Sequence, residues 1–162
     1  MFLKRQLSKE LTLYKSLCFG YKTHQQSSLR YRVVVGVGGN TGDVRRRFHH
    51  LFYFLKKEKK IELLQTSSIL KNPPFGFKEQ DDFFNTLMVL QTSMQPLALL
   101  QYLHQVEKKF GRVRSFANAP RSLDLDIIFF DNRIIKSAKL QIPHAEWFKR
   151  ESVTIPLMDL SL

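Results

Sequence analysis

Pro120-Arg121-Ser122-Leu123-Asp124-Leu125-Asp126-Ile127-Ile128-Phe129-Phe130 sets two acids into an apolar run. Leucine, isoleucine and phenylalanine at this density suit a buried strand, bounded by Pro120 and by Asp131-Asn132. Successive strand side chains point to opposite faces. Asp124 and Asp126 therefore share one face, while Leu123, Leu125 and Ile127 share the other. Two bare carboxylates side by side resist joint ionisation and call for a cation. Arg121 is one source. A hard metal ion such as Mg²⁺ is another, because it takes oxygen ligands from carboxylates and phosphates. A solvated pair of acids at a sheet edge is the plainer alternative. Gly111-Arg112-Val113-Arg114 lies just upstream, and the planar fork of arginine matches phosphate oxygens. Acids that gather metal beside arginines that gather anions point to a nucleoside triphosphate; a basic surface loop is the alternative.

Upstream of this stretch the pattern is helical. Pro96 suits a first helical position, and Leu99, Leu100, Leu103 and Val106 form a stripe that Gly111 ends. His104 and Glu107 lie three apart near that stripe and read first as an exposed pair. Asp82 to Thr92 reads as a strand, in which Asn85 sits among Phe83, Phe84 and Leu87. A buried amide must find partners, so Asn85 either ties down a loop or reads the edge of a ligand. The preceding Asn72-Pro73-Pro74-Phe75-Gly76-Phe77 is a loop stiffened by two prolines. Its phenylalanines either wall a flat slot or plug the core. Ile61 to Leu70 reads as a further strand, and Arg32 to Val37 as a β-branched one. The latter ends in Gly36-Val37-Gly38-Gly39-Asn40-Thr41-Gly42-Asp43. That glycine-rich turn is neither a Walker loop nor G-x-G-x-x-G. Asp43 is placed to cap a helix whose buried face is Phe48, Leu51, Phe52 and Leu55. After Asp131 come a short Arg133–Ile135 strand and Pro143-His144.

The order strand–helix–strand–strand–helix–strand predicts an α+β domain of ferredoxin-like βαββαβ form, an antiparallel sheet covered by helices. It occupies residues 31–162. Residues 1–30 form an N-terminal extension in which Leu7, Leu11, Tyr14 and Leu17 have helical spacing. Lys9, Glu10 and Lys15 interrupt the apolar run that a secretory signal requires.

A length of 162 residues is the size of one domain. Apolar content of 43% argues against disorder. A net charge of +12 suits an anionic partner: nucleic acid, phospholipid or polyphosphate. The single cysteine, Cys18, excludes an internal disulfide and a cysteine zinc cluster, and fits a cytoplasmic protein. No stretch approaches the roughly 20 apolar residues of a membrane helix. A ferredoxin-like RNA-binding module is the competing reading of the charge. It lacks support in any Lys/Arg-Gly-Phe segment, and paired acids on a central strand repel phosphate. A two-metal nucleotidyltransferase on the same fold is the other alternative.

Taken together, the spaced motifs resemble 6-hydroxymethyl-7,8-dihydropterin pyrophosphokinases. The resemblance rests on Gly38-Gly39-Asn40, on Asn72-Pro73-Pro74-Phe75-Gly76 before Asp82-Phe83-Phe84-Asn85, and on Glu107 to Arg114 leading into Pro120–Asp126. Pro143-His144 and Arg150 close the series, and the likeness runs from about Arg32 to Leu160. It implies transfer of the β,γ-diphosphate of ATP to the pterin hydroxymethyl group, leaving AMP, by a cytoplasmic enzyme expected to be a monomer without nucleic-acid or membrane partners. It implies that Asp124 and Asp126 hold two Mg²⁺ ions, and that Arg112 and Arg121 act with these acids as the catalytic set. His104, Glu107, Arg112, Arg121, Ile127, His144 and Arg150 would line the nucleotide side. Gly38, Asn72, Pro73, Phe75, Phe83 and Asn85 would line the pterin side with the two acids. The family usually has Trp-Gly-Pro-Arg where this chain has Asn118-Ala119-Pro120-Arg121, and a second stacking phenylalanine where it has Ser152. Phe116 and Trp147 are the candidate substitutes for the missing rings.

Overall fold

The computed structural model describes residues 2–113 and 115–162; Arg114 of the basic run lies outside the described residues. In chain order the strands are β1 (Leu3–Gln6), β2 (Thr12–Lys15), β3 (Tyr31–Gly39), β4 (Ile61–Thr66), β5 (Ile69–Asn72), β6 (Phe83–Thr92), β7 (Asp124–Phe130), β8 (Ile135–Lys136) and β9 (Gln141–Ile142). The helices are α1 (Val44–Lys57), α2 (Pro96–Lys109) and α3 (Glu151–Leu157). The fold is α+β. Seven strands form one sheet in the order β1-β2-β5-β6-β3-β7, with β4 also paired to β6 and each of these pairs antiparallel.

Helices α1 and α2 follow from their sequence. The Asp43 side chain accepts the Arg46 backbone N–H at 3.2 Å, and α1 buries Phe48, Leu51, Phe52 and Leu55. Helix α2 buries Leu99, Leu103 and Val106, with Leu100 only partly covered. Each such side chain contributes about 1.5–3 kcal/mol. Both stripes join Val33, Val35, Leu125 and Ile127 in the main core, on one face of the sheet. The other face carries Val34, Leu87, Val89 and Ile128 beneath Val153 of α3. The strand predicted over Ile61 to Leu70 is broken at Ser67-Ser68, where Ser67 Oγ accepts the Leu87 N–H at 2.9 Å.

Residues 1–30 depart from expectation. The helical spacing of Leu7 to Leu17 does not produce a helix, because β1 and β2 form a hairpin that extends the sheet beyond β5. Pairing with Ile69 buries Tyr14, which a lone amphipathic helix would leave wet. The Arg45 guanidinium lies 4.4 Å from the Tyr14 ring centre and 5.0 Å from that of Phe2, pinning the hairpin to α1.

Glycines on β3 clear the floor beside the two acids. Gly36 pairs with Asp126, and Gly38 with both Asp124 and Asn85. A Cβ at Gly38 would stand 2.8 Å from Asn85 Oδ1. At Gly39 it would stand 2.6 Å from the Ser122 carbonyl oxygen, which also accepts Arg47 Nη1 at 2.9 Å. Gly39→Ala is therefore expected to cost about 1–3 kcal/mol by overpacking. A urea unfolding midpoint equal to that of the unaltered protein would contradict this close approach.

Candidate active site

Strand β7 presents the acids as its alternation requires. Leu125 and Ile127 enter the helix-side core, while Asp124 and Asp126 face the side that α3 covers. Ile128 is a bulge between residues paired with Val34 and Val35, so the alternation resets and Phe130 returns to the core. Asp124, Asp126, Gly38 and Asn85 border one cavity of about 70 Å³, closed by His144 and Arg150.

Arginine is the cation that Asp124 meets. Arg112 Nη1 donates to Asp124 Oδ1 at 2.6 Å, and Arg121 Nη1 to Asp124 Oδ2 at 3.0 Å. The same Arg112 nitrogen reaches Glu107 Oε1 at 3.1 Å. Glu107 is 2% exposed, and its Oε1 also accepts the Leu125 backbone N–H at 2.8 Å. The exposed-pair reading of His104 and Glu107 is thus corrected: Glu107 faces inward, clamping α2 to β7. Burial alone would lower the Arg112 pKa, yet Asp124, Glu107 and Asp126 together raise it. Asp126 lacks such neutralisation. Burial first, then the charges of Asp124 and Glu107, push its carboxyl up to about 7, with only partial relief from Arg112 and Arg121. A carboxyl perturbed in this way beside a polar cavity is a candidate functional acid.

Burial and then the charge of Arg150 lower the His144 pKa, so its ring is neutral at pH 7. His144 Nδ1 and Arg150 Nε are buried and have no hydrogen-bond partner among the described residues. Buried polar atoms of this kind call for a partner that the described residues do not supply. Asn85, which borders the same cavity, donates from Nδ2 to Asn72 Oδ1 at 2.7 Å, and Asn72 Nδ2 donates to the Pro73 carbonyl at 2.9 Å. Asn85 thus ties the proline loop through Asn72, and it also borders the cavity. The Arg121 guanidinium lies 5.3 Å from the Phe83 ring centre, and that of Arg150 lies 5.1 Å from Phe75, a ring 68% exposed.

Other expected residues stand elsewhere. Ile127 is buried in the helix-side core, on the face opposite the acids. His104 is partly buried on α2 and does not border the cavity. The rings proposed as substitutes do not border it either: Trp147 packs on Phe129 and Phe116 on Phe77. Sequence reasoning read Arg47 as solvated and gave Asn40 and Gln80 no role at the site; each has a partner remote in sequence. Arg47 Nη1 joins the Thr41 and Ser122 carbonyls at 2.6 and 2.9 Å.

Among the described residues no group of three or more His, Cys, Asp or Glu side chains is arranged to hold a metal ion. Asp124 and Asp126 are the metal donors on offer at this site, which suits an ion completed by substrate and water oxygens. Among the described residues no helix is long and apolar enough to cross a membrane.

The acids and Arg112 and Arg121 thus converge beside the Asn72–Asn85 amide pair, with Arg121 over Phe83 and Arg150 over Phe75. The profile of the 7,8-dihydro-6-hydroxymethylpterin-pyrophosphokinase family matches residues 34–162, and the chain belongs to that family. It is 39% identical over 143 residues to the 2-amino-4-hydroxy-6-hydroxymethyldihydropteridine pyrophosphokinase of Campylobacter jejuni, covering 88% of this chain and 91% of that one. With the Helicobacter pylori enzyme of the same name it shares 38% identity over 128 residues, 78% of each chain. The folic acid synthesis protein FOL1 of Dictyostelium discoideum is 35% identical over 130 residues, 80% of this chain and 19% of that one.

Proposed function

We propose that this chain transfers the β,γ-diphosphate of ATP to the hydroxymethyl group of 6-hydroxymethyl-7,8-dihydropterin, giving AMP and the pterin diphosphate, in folate biosynthesis. The observation that carries the reading is that one cavity joins Asp124 and Asp126 to Gly38 and Asn85, in a chain of this family. Residues 31–162 form the catalytic domain, which we read as ferredoxin-like, with 1–30 an extension added to its sheet. We place the enzyme in the cytoplasm as a monomer.

Transfer of this kind demands positioning and charge neutralisation, with little covalent help from protein. Arg112 and Arg121 supply positive charge at the acids, and His144 and Arg150 supply polar atoms on the nucleotide side. His104 and Glu107 belong to that side through α2, Glu107 by holding Arg112. Asn72, Pro73 and Asn85 offer an amide-lined edge to the pterin, with Phe83 and Phe75 as the available rings. Asp124 and Asp126 would hold two Mg²⁺ ions. The fit rests on Asp126, a carboxyl that its surroundings leave short of positive charge. Bound metal there supplies the charge that the phosphate oxygens require.

Product analysis tests the reading. AMP and a diphosphorylated pterin are expected, whereas pyrophosphate release would indicate nucleotidyl transfer and overturn it. Phe75 carries a second expectation. A stacked ring is worth about 0.5–1.5 kcal/mol beyond its buried area, so Phe75→Ala is expected to raise the KM for the pterin roughly tenfold. An unchanged KM removes Phe75 from the pterin slot.

A further inference from the structure

Three loops bring the site together, and two amide side chains outside the cavity knit them. Asn40 ends the glycine-rich turn and is only 5% exposed. Its backbone N–H donates to the Arg121 carbonyl at 3.0 Å, and its Oδ1 accepts the Arg121 N–H at 2.9 Å. Both main-chain polar groups of Arg121 are thereby fixed. Asn40 Nδ2 then donates to Gln80 Oε1 at 2.8 Å and to the Asp81 carbonyl at 3.0 Å. Gln80 Nε2 in turn donates to the Phe77 carbonyl at 2.6 Å and the Asn118 carbonyl at 2.9 Å. Each side-chain oxygen and both N–H groups of each amide are used, which is the condition for a polar network to rigidify a fold.

Apolar contacts follow the same path. The Phe77 and Phe116 rings meet edge to face at 5.5 Å. Asn118 Nδ2 lies 2.7 Å from where Gly76 would carry a Cβ, so the proline loop and the basic loop touch where only glycine fits. Arg121 is left with its guanidinium on Asp124 at 3.0 Å and over Phe83 at 5.3 Å.

We propose that Asn40 and Gln80 form a latch that sets the basic loop against the proline loop, and so are positioning residues for diphosphate transfer. Neither borders the cavity of the acids. They act through Arg121, which spans a phosphate-side acid and a pterin-side ring. The proposal rests on the pterin pyrophosphokinase reading for its kinetic consequence. The latch itself rests on the bonds alone. A displacement of Arg121 by about 1 Å breaks its contact with Asp124, and an error of that size costs on the order of 100-fold in rate.

The test uses Gln80→Leu, which keeps bulk and removes all three bonds, and Gln80→Glu, which sets a carboxylate oxygen against two carbonyls. Lys78→Leu, an exposed change in the same loop, is the control. Both Gln80 variants are expected to lose 10–100-fold in kcat, with the KM for ATP changed less than about threefold and Lys78→Leu within about twofold of the parent. In the ligand-free protein, amide hydrogen exchange over residues 115–119 is expected to rise at least tenfold in both Gln80 variants and to stay at the parent level in Lys78→Leu. Unaltered exchange there, a kcat within twofold of the parent, or an equal loss in Lys78→Leu overturns the latch. Exchange is read without substrates, so it judges the latch even if the unaltered protein transfers no diphosphate, a result that would sink the functional reading instead.

Discussion

Asp126→Asn is expected to abolish turnover and to stabilise the ligand-free protein at once. The carboxyl is held up to about 7 by burial and by the charges of Asp124 and Glu107. Its ordinary value is 3.8. The folded state therefore binds this proton more tightly than the unfolded chain. Between about pH 4 and pH 7 the native state carries more protons, so stability falls as pH rises through that window and stays lower above it. Asparagine has the same outline and no charge, so it removes this penalty. Each pKa unit corresponds to about 1.4 kcal/mol. Allowing for relaxation around a partly buried group, a gain of about 1–2 kcal/mol at pH 8 is expected, or roughly 2–8 °C in Tm. The gain narrows toward pH 5 and closes at about pH 4, where the carboxyl is protonated in the folded and the unfolded chain alike. Turnover falls on the order of 10³-fold, because the transfer depends on charge placed at the reacting phosphates. With magnesium and a non-hydrolysable ATP analogue the order of stability reverses, since only the parent gains binding energy. Melting curves at pH 5 and pH 8 in chelator, then with ligands, decide the matter. Equal melting at both pH values, or a variant keeping a tenth of its turnover, would end this account of Asp126.

That acid was legible from the chain because period-two alternation needs only local information. The strand from Asp124 onward, the helix stripes of α1 and α2, and the α+β class rest on the same kind of local pattern. Where the reading went wrong, distant partners decide. Tyr14 is buried by Ile69, 55 residues on, so its helical spacing with Leu7 and Leu11 carried no weight. Ile128 bulges because β3 and β7 change register there, which β7 alone does not encode. Asn40 meets Gln80 and Arg121 across 40 and 81 residues. Glu107 is different, since its signal was present. It follows Val106 directly and lies four residues after Leu103, on the buried side of α2. A carboxylate at such a position requires partners inside the protein.

Glu107→Ala is accordingly expected to be among the most destabilising single changes in the chain. The Glu107 carboxylate caps the Leu125 N–H and balances Arg112, which holds Asp124 at 2.6 Å. Truncation leaves a buried N–H without its acceptor and reduces the negative charge facing a largely buried guanidinium. Breaking one partner of a buried ion pair costs about 3–5 kcal/mol, equivalent to roughly 10 °C in Tm for a chain of this size. Glu107→Gln keeps an oxygen for Leu125 and loses only the charge, so it is expected to fall between the parent and the alanine variant. Because the Glu107 charge helps raise Asp126, the glutamine variant should also move the Asp126 titration down. Structural destabilisation alone would leave that titration in place. A double-mutant cycle isolates the ion pair. Combined with Arg112→Met, Glu107→Ala should cost less than the sum of the single changes, because each single change already breaks the Glu107–Arg112 pair that the other would remove. Strict additivity, or a Glu107→Ala variant melting within 2 °C of the parent, would mean that the clamp between α2 and β7 does not hold the arginine that grips Asp124.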